Sequence, residues 1–352
     1  MTSRFSSLAD LGWTSFFASQ FSPGDSPDFR AVRVMAVHRG LLAVAGDGFE
    51  STISSHMPNA TAEEDFPTIG DWLVVERTTL RPERILRRAS LFKRRAAGTG
   101  RGIQLIAANV DTLFVVSSCD RDFNPARLER YLILAREAGV MPVVVLTKAD
   151  RTGDAADYAN AARRLLPGLV VETLDARDAD AAAGLGAWCG PGQTVALLGS
   201  SGVGKSTLIN SLSGSSAATG ETRADDDKGR HTTTARELHR LERGGWLLDT
   251  PGMRELQLAD AHAGTEEVFD DVTALAQECR FSDCSHDAEP GCAIKAAIAA
   301  GSLDPERLAR WRKLAAEESF NTASLAERRA RDRTFGKMVR AVIKDKTTPK
   351  RR

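Results

Sequence analysis

The segment QTVALLGSSGVGKSTLINSLSG constrains this chain more than any other stretch. Within it, Gly199 to Ser206 fits GxxxxGK[ST], with an apolar run leading in and a helical pattern leading out. Glycines let backbone amides turn inward around phosphates, and the helix that follows offers its positive N-terminus. Lys205 is expected to contact the β- and γ-phosphates, and Ser206 to give its hydroxyl to Mg²⁺. Gly199, Ser200, Ser201, Gly202, Val203, Gly204 and Thr207 complete the expected phosphate loop. A turn needed only for packing would not require Lys and Ser at those two places.

A loop of this kind belongs at a strand-to-helix turn of an α/β sheet, and the surrounding texture agrees. DTLFVVSS, MPVVVLTKAD, LVVETLD, QTVALLGS, ELHRL and GWLLDT read as strands. PARLERYLILAREAGV, DAADYANAARRLLPG, DADAAAGLGAWC and GKSTLINSLSG read as helices. Strands alternating with helices predict a doubly wound sheet over roughly 107–262.

The strand MPVVVLTKAD ends in TKAD, Thr147 to Asp150, the pattern with which a GTPase recognises guanine. Guanine presents an N1–H and a 2-amino group together. A carboxylate accepts both, which is the role expected of Asp150. The Lys148 stem would pack over the ring, with Thr147 and Ala149 completing the element. LDARD, Leu174 to Asp178, ends the next strand and would close over the base, although Asp175-Ala176 stands where GTPases usually show Ser-Ala. After the phosphate loop comes DTPG. Asp249 is expected to hold Mg²⁺, and Gly252 to offer its amide to the γ-phosphate. The long polar segment between them contains Thr232, Thr233 and Thr234. One of these is expected to close on Mg²⁺, and Thr233 is our choice. The order is therefore base element, second base element, phosphate loop, switch threonines, DTPG: a circular permutation of the Ras-like order. Such a permutation is tolerable because strands keep their neighbours while connections change.

Residues 31–53 and 71–77 alternate apolar and polar positions and predict a small β-barrel; the pattern alone does not separate an OB-fold from an SH3-like barrel. The net charge is zero, with 47 basic and 47 acidic residues, but the charge is unevenly placed. Arg77 to Arg101 holds nine basic residues and one acid, and Arg328 to Arg352 holds eleven and two. Basic flanks around a neutral average favour contact with nucleic acid. No apolar run is long enough to span a bilayer. The N-terminus lacks a signal-like apolar stretch, so a cytoplasmic protein is expected.

Five cysteines include Cys279, Cys284 and Cys292, which with His286 give C-x4-C-x-H-x5-C. Three thiolates and one imidazole in so short a span suit a closed structural Zn²⁺ site in a reducing compartment. Cys119 and Cys189 read as core residues.

Taken in order, LGWTSFF, SLFKRRAAG, TKAD, GSSGVGKST, GRHTTT, DTPGMRE and the cysteine cluster resemble the ribosome-small-subunit-dependent GTPase A family over nearly the whole chain. The resemblance implies an OB-fold barrel, a circularly permuted P-loop GTPase domain and a mainly helical zinc-binding domain. The boundaries expected are 1–106, 107–262 and 263–352. It further implies GTP hydrolysis with Mg²⁺, stimulated by the small ribosomal subunit, contact with its rRNA, and a late role in that subunit's maturation. A monomer with no membrane partner is expected.

Ras-like enzymes often place a Gln just after DxxG to orient water; here Met253 stands there. The nearest polar candidate is His231. Without that Gln, intrinsic turnover is expected near ~10⁻⁴ to 10⁻² s⁻¹. Two other readings compete: an RNA-binding assembly factor in which GTP is only a conformational ligand, and an adenine-specific ATPase or kinase. TKAD argues against the last.

Overall fold

The computed structural model describes residues 7–21, 27–95, 102–214, 236–249, 258 and 261–322. Of the expected site residues, His231, Thr233 and Gly252 lie outside the described residues, as do Thr232, Thr234, Met253, 96–101 and the basic block 328–352. The chain divides into two compact units, Met1–Gln257 with Ala263–Thr273, and Leu258–His262 with Ala274–Arg352.

The first unit begins with one helical turn, α1 (Ser15–Ala18), and a meander of β1 (Phe29–His38), β2 (Leu41–Gly46) and β3 (Phe49–Ser54). β4 (Trp72–Glu76) pairs with the first half of β1, and β5 (Pro82–Ile85) pairs with β4. Period-two positions (Val32 and Val34, Leu42 and Val44, Leu73 and Val75) build one buried cluster across these strands. β6 (Leu91–Arg95) and β7 (Ile103–Ala108) form a separate hairpin.

The α/β part follows as β8 (Thr112–Ser118), α2 (Pro125–Glu137), β9 (Met141–Thr147), α3 (Ala155–Arg163) and β10 (Val170–Thr173). Next come α4 (Ala179–Ala183), β11 (Thr194–Gly199), α5 (Lys205–Ser213), β12 (Arg236–Arg240) and β13 (Trp246–Asp249). Every residue of β8 is buried, as expected of a strand covered on both faces. Phe114, Val116, Val143, Val145, Val203 and Leu208 share one core on the α5 side. Across the sheet the order is β10-β9-β8-β11-β13-β12, parallel except for β12 against β13. The chain steps one way from β8 to β10 and the other way from β11 to β13. That reversal opens a crevice at the C-terminal ends of β8 and β11, where open α/β sheets bind ligands.

The expected N-terminal barrel does not appear as a closed ring among the described residues. β1 explains why. Its first half pairs with β4, but Ala36 and Val37 on the same edge pair with Glu237 and Arg236 of β12. The edge is shared with the second sheet, so the N-terminal strands and the α/β strands run together as one eleven-stranded sheet. Arg33 fastens this junction from inside. It is 1% exposed and donates to the Leu11 carbonyl (2.6 Å), the Thr194 hydroxyl (2.8 Å) and the Asn109 carbonyl (3.2 Å). Burial lowers its pKa to about 10, with Asp111 and Asp71 opposing.

After β13 the described chain is helical: α6 (His262–Val268), α7 (Asp270–Gln277), α8 (Ala293–Ala299) and α9 (Pro305–Thr322). Among the described residues, no helix is long and apolar enough to cross a membrane.

Candidate functional site

The phosphate loop joins β11 to α5 at the sheet's topological switch point. Gly199 is required there by space, because a Cβ would collide with the Val116 carbonyl on β8. Gly204 is required by conformation, with φ +91° immediately before Lys205 opens the helix. Val203, fully buried, anchors the loop into the core. Lys205 bends back so that its Nζ donates to the Ser200 carbonyl. Arg127, in the first turn of α2, donates to the Ser200 hydroxyl. The Asn124 side chain caps that helix by accepting from the Arg127 amide at 3.0 Å. Asp249 ends β13, which lies beside β11.

TKAD lies at the end of β9, on the same edge. Thr147 is fully buried; its hydroxyl donates to the Val203 carbonyl in the phosphate loop and lies 3.2 Å from the Ser117 carbonyl. The two motifs are therefore stitched together by a side chain. Lys148 holds the left-handed conformation, φ +57°, which costs a non-glycine residue energy and needs fixing from outside. An ion pair supplies it, with Nζ 2.9 Å from Asp120 Oδ2 just beyond β8. Partial burial pushes the Asp120 carboxyl up, but Lys148, the Asp122 amide and the Ser118 hydroxyl outweigh it and hold it at about 2. Asp150 Oδ2 is 2.8 Å from Arg177 Nη2, and the Ala149 amide donates to the Leu174 carbonyl at 3.4 Å.

Cys279, Cys284, His286 and Cys292 also come together, with ligand atoms all within 4.8 Å of one another. Bonds of about 2.3 Å to sulfur and about 2.0–2.1 Å to nitrogen around tetrahedral zinc place sulfur pairs about 3.8 Å apart and sulfur–nitrogen pairs about 3.6 Å apart. Here Cys279 Sγ is 3.9 Å from Cys292 Sγ, and both are 3.6 Å from His286 Nδ1. The donor set fits a tetrahedral metal ion. Burial opposes ionisation of Cys279, but the Ala293 and Ile294 amides at the start of α8 outweigh it and hold the thiol below its ordinary value. His286 sits at φ +63°, inside a turn braced by Glu289. That carboxylate accepts from the Ser285 amide (2.9 Å), the Asp287 amide (2.9 Å) and the Ala288 amide (3.0 Å).

Sequence reasoning did not single out Asp120, Arg127, Arg177 or Glu289. For Asp120 a signal existed: an acid two residues after a buried strand, at the crevice end of the sheet. For Arg127 and Arg177 there was none, since their partners lie far away in sequence or on the neighbouring strand's loop.

Sheet order, switch point and the paired loops define a P-loop nucleotide-binding protein of permuted strand order. A sequence model of the RsgA GTPase family matches residues 85–259. The small ribosomal subunit biogenesis GTPase RsgA of Mesorhizobium japonicum is 52% identical over 326 residues, covering 92% of this chain and 93% of that protein. A protein called small ribosomal subunit biogenesis GTPase RsgA 2 from Vibrio parahaemolyticus is 49% identical over 342 residues, with 96% and 93% coverage. The chain belongs to the RsgA GTPase family. Its fold is shared with YjeQ from Thermotoga maritima (TM-score 0.57, 22% identity, 81% of this chain and 97% of that one). It is also shared with YloQ, described as a circularly permuted GTPase (TM-score 0.57, 23% identity, 84% and 97%).

Proposed function

We propose that this chain hydrolyses GTP while bound to the small ribosomal subunit, late in that subunit's maturation, and that hydrolysis triggers its release. One observation carries the reading: the Thr147 hydroxyl joins the TKAD loop to the phosphate loop at the sheet's switch point. A ligand spanning that edge would meet a phosphate cradle at one end and the Asp150 carboxylate at the other. The names borne by the relatives above favour the same function.

In this reading Lys205 binds the β- and γ-phosphates, and the amides from Gly199 to Thr207 cradle them. Ser206, Thr233 and Asp249 hold Mg²⁺, which when bound neutralises charge developing on the phosphates. The Gly252 amide meets the γ-phosphate, and His231 orients the attacking water. Lys148 and Asp150 read the base. Cys279, Cys284, His286 and Cys292 hold one structural Zn²⁺, whose donors leave no open position for catalysis. The basic blocks at 77–101 and 328–352 meet rRNA. Three parts, 1–106, 107–262 and 263–352, divide these tasks in a monomer acting in the reducing cytoplasm, where thiolates stay available.

The test is GTP turnover with and without purified small subunits, together with Asp150→Asn. Turnover should be slow alone and rise with subunits. The variant should weaken GTP and favour xanthosine triphosphate, whose extra oxygen suits an amide donor. Equal turnover in both conditions, with unchanged base preference, would refute the proposal. Replacing Lys205 by Ala separates the assembly-factor reading, because only the enzyme reading requires turnover for release.

A further inference from the structure

We propose that Asp175 and Arg177 form a positioning pair that aligns Asp150 for guanine, standing in for a hydroxyl donor at the second base element. The proposal rests on Asp150 being the base reader. A carboxylate offers about four lone-pair sites. Guanine's N1–H and 2-amino group occupy one on each oxygen, leaving others open for the protein to fix the group's rotation. A serine at position 175 could donate there. Aspartate cannot, because an ionised carboxylate only accepts.

Arg177 brings the missing donor. Its Nη2 is 2.8 Å from Asp150 Oδ2 and also 2.8 Å from Asp175 Oδ2. Its Nε donates to Asp175 Oδ1 at 3.0 Å, and its own amide donates to the same oxygen at 2.9 Å. Asp175 thus grips the guanidinium in a two-point fork, the geometry in which arginine loses least freedom per bond. The Asp175 carboxyl is held below its usual value by Arg177, in keeping with a paired anion.

The segment beneath is rigid. Leu174 and Ala176 are buried, the Leu174 carbonyl accepts from the Ala149 amide, and the Ala176 carbonyl accepts from the Ser211 hydroxyl of α5 at 2.7 Å. The pair is therefore referenced both to the TKAD loop and to the helix that carries the phosphate loop. Without Arg177, the two carboxylates would share that rim with only the more distant charge of Arg151 beside Asp175.

The measurement is binding of fluorescent GDP, with IDP as competitor, to the full chain. Inosine lacks the 2-amino group, so it needs only one of the two Asp150 oxygens aligned. Arg177→Met should weaken GDP about three- to fivefold, the scale of a well-formed exposed ion pair, and weaken IDP less. Arg177→Lys, which keeps a cationic donor without the planar fork, should restore much of the loss. In an Asp150→Ala background the Arg177 change should have no further effect. Tighter GDP binding by Arg177→Met would make Arg177 a competitor for Asp150 and overturn the proposal. So would equal losses for GDP and IDP, or a loss that persists without Asp150. If Asp150→Ala itself leaves the GDP-to-IDP ratio intact, the base-site reading fails and this proposal with it. A responsive Asp150 with a silent Arg177 defeats this proposal alone.

Discussion

The nucleotide edge and the thiol–imidazole cluster are assembled in opposite ways. At the nucleotide edge, Asp120, Thr147, Lys148, Asp175, Arg177 and Ser200 come from four strand ends, with Arg127 from the first turn of α2, and a buried parallel sheet sets their separations. At the cluster, four donors come from one short run of sequence, held by a turn and the first residues of α8. The sheet stays in place whether or not any one surface contact is made. The turn is braced locally, by Glu289 and by the Trp311 ring 6.0 Å from His286, and a bound metal would add to that bracing. The first site is set by a sheet, and the second by a local turn whose donors fit a metal ion.

Withdrawing the metal should expose this contrast most strongly. Structural zinc contributes on the order of 10–16 kcal/mol in small domains, so Cys284→Ala should abolish retention of the one equivalent expected and loosen 279–292. GDP affinity should change by less than about twofold. Metal analysis and amide exchange across 279–292 would check the first part, and nucleotide binding the second. A large fall in GDP affinity would break the comparison.

Next in size comes Gly199→Ala. The added Cβ would meet the Val116 carbonyl, a main-chain atom that cannot swing aside. Forcing β11 from β8 should cost about 1–3 kcal/mol of stability, with nucleotide binding falling in parallel. A calorimetric melt would read it. An unchanged melting temperature would show that the edge is softer than its sheet.

This division also decides what could be read from the residues alone. The cysteine spacing, the phosphate loop and TKAD are local patterns, and each fell on the element expected of it. The doubly wound order was legible because β8, β9 and β11 each carry a central apolar run, LFVV, VVVL and VALL, between helical patterns. The expected barrel does not close among the described residues, because alternation reports which face of a strand is buried and not which strand claims its edge. Nothing in AVRVMAVH announces that Ala36 and Val37 pair with a strand two hundred residues away. Likewise LDARD showed an unusual Asp, but only the fold brings Arg177 to Asp150.

Thr147→Val gives a smaller, sharper test. The change keeps shape and removes the hydroxyl that bridges to the Val203 carbonyl. A lost buried hydrogen bond is worth about 1 kcal/mol, so GDP should weaken about three- to tenfold with little loss of the melting temperature. No change in affinity would mean that the base and phosphate loops are held together by the sheet alone.

The smallest effect concerns acid. The Asp120 carboxyl titrates at about 2 in the fold, against about 3.9 when unfolded. A lowered carboxyl stabilises above its unfolded value and loses that contribution as pH falls through its folded value, here between about 4 and 2. Lys148 and Asp120 are 24% and 32% exposed at their side chains, so solvent screening keeps the contribution well under ~1 kcal/mol. Lys148→Met should therefore lower stability slightly and evenly above pH 5 and flatten the fall between pH 4 and 2, where the variant and the parent converge. The metal cluster answers acid differently, because its thiolates and imidazole must shed protons to bind, so the ion should leave before that window is reached. An acid titration following both metal release and melting temperature would order the two events. Metal release at or below the pH where the sheet melts would show that the turn around His286 is as preorganised as the nucleotide edge.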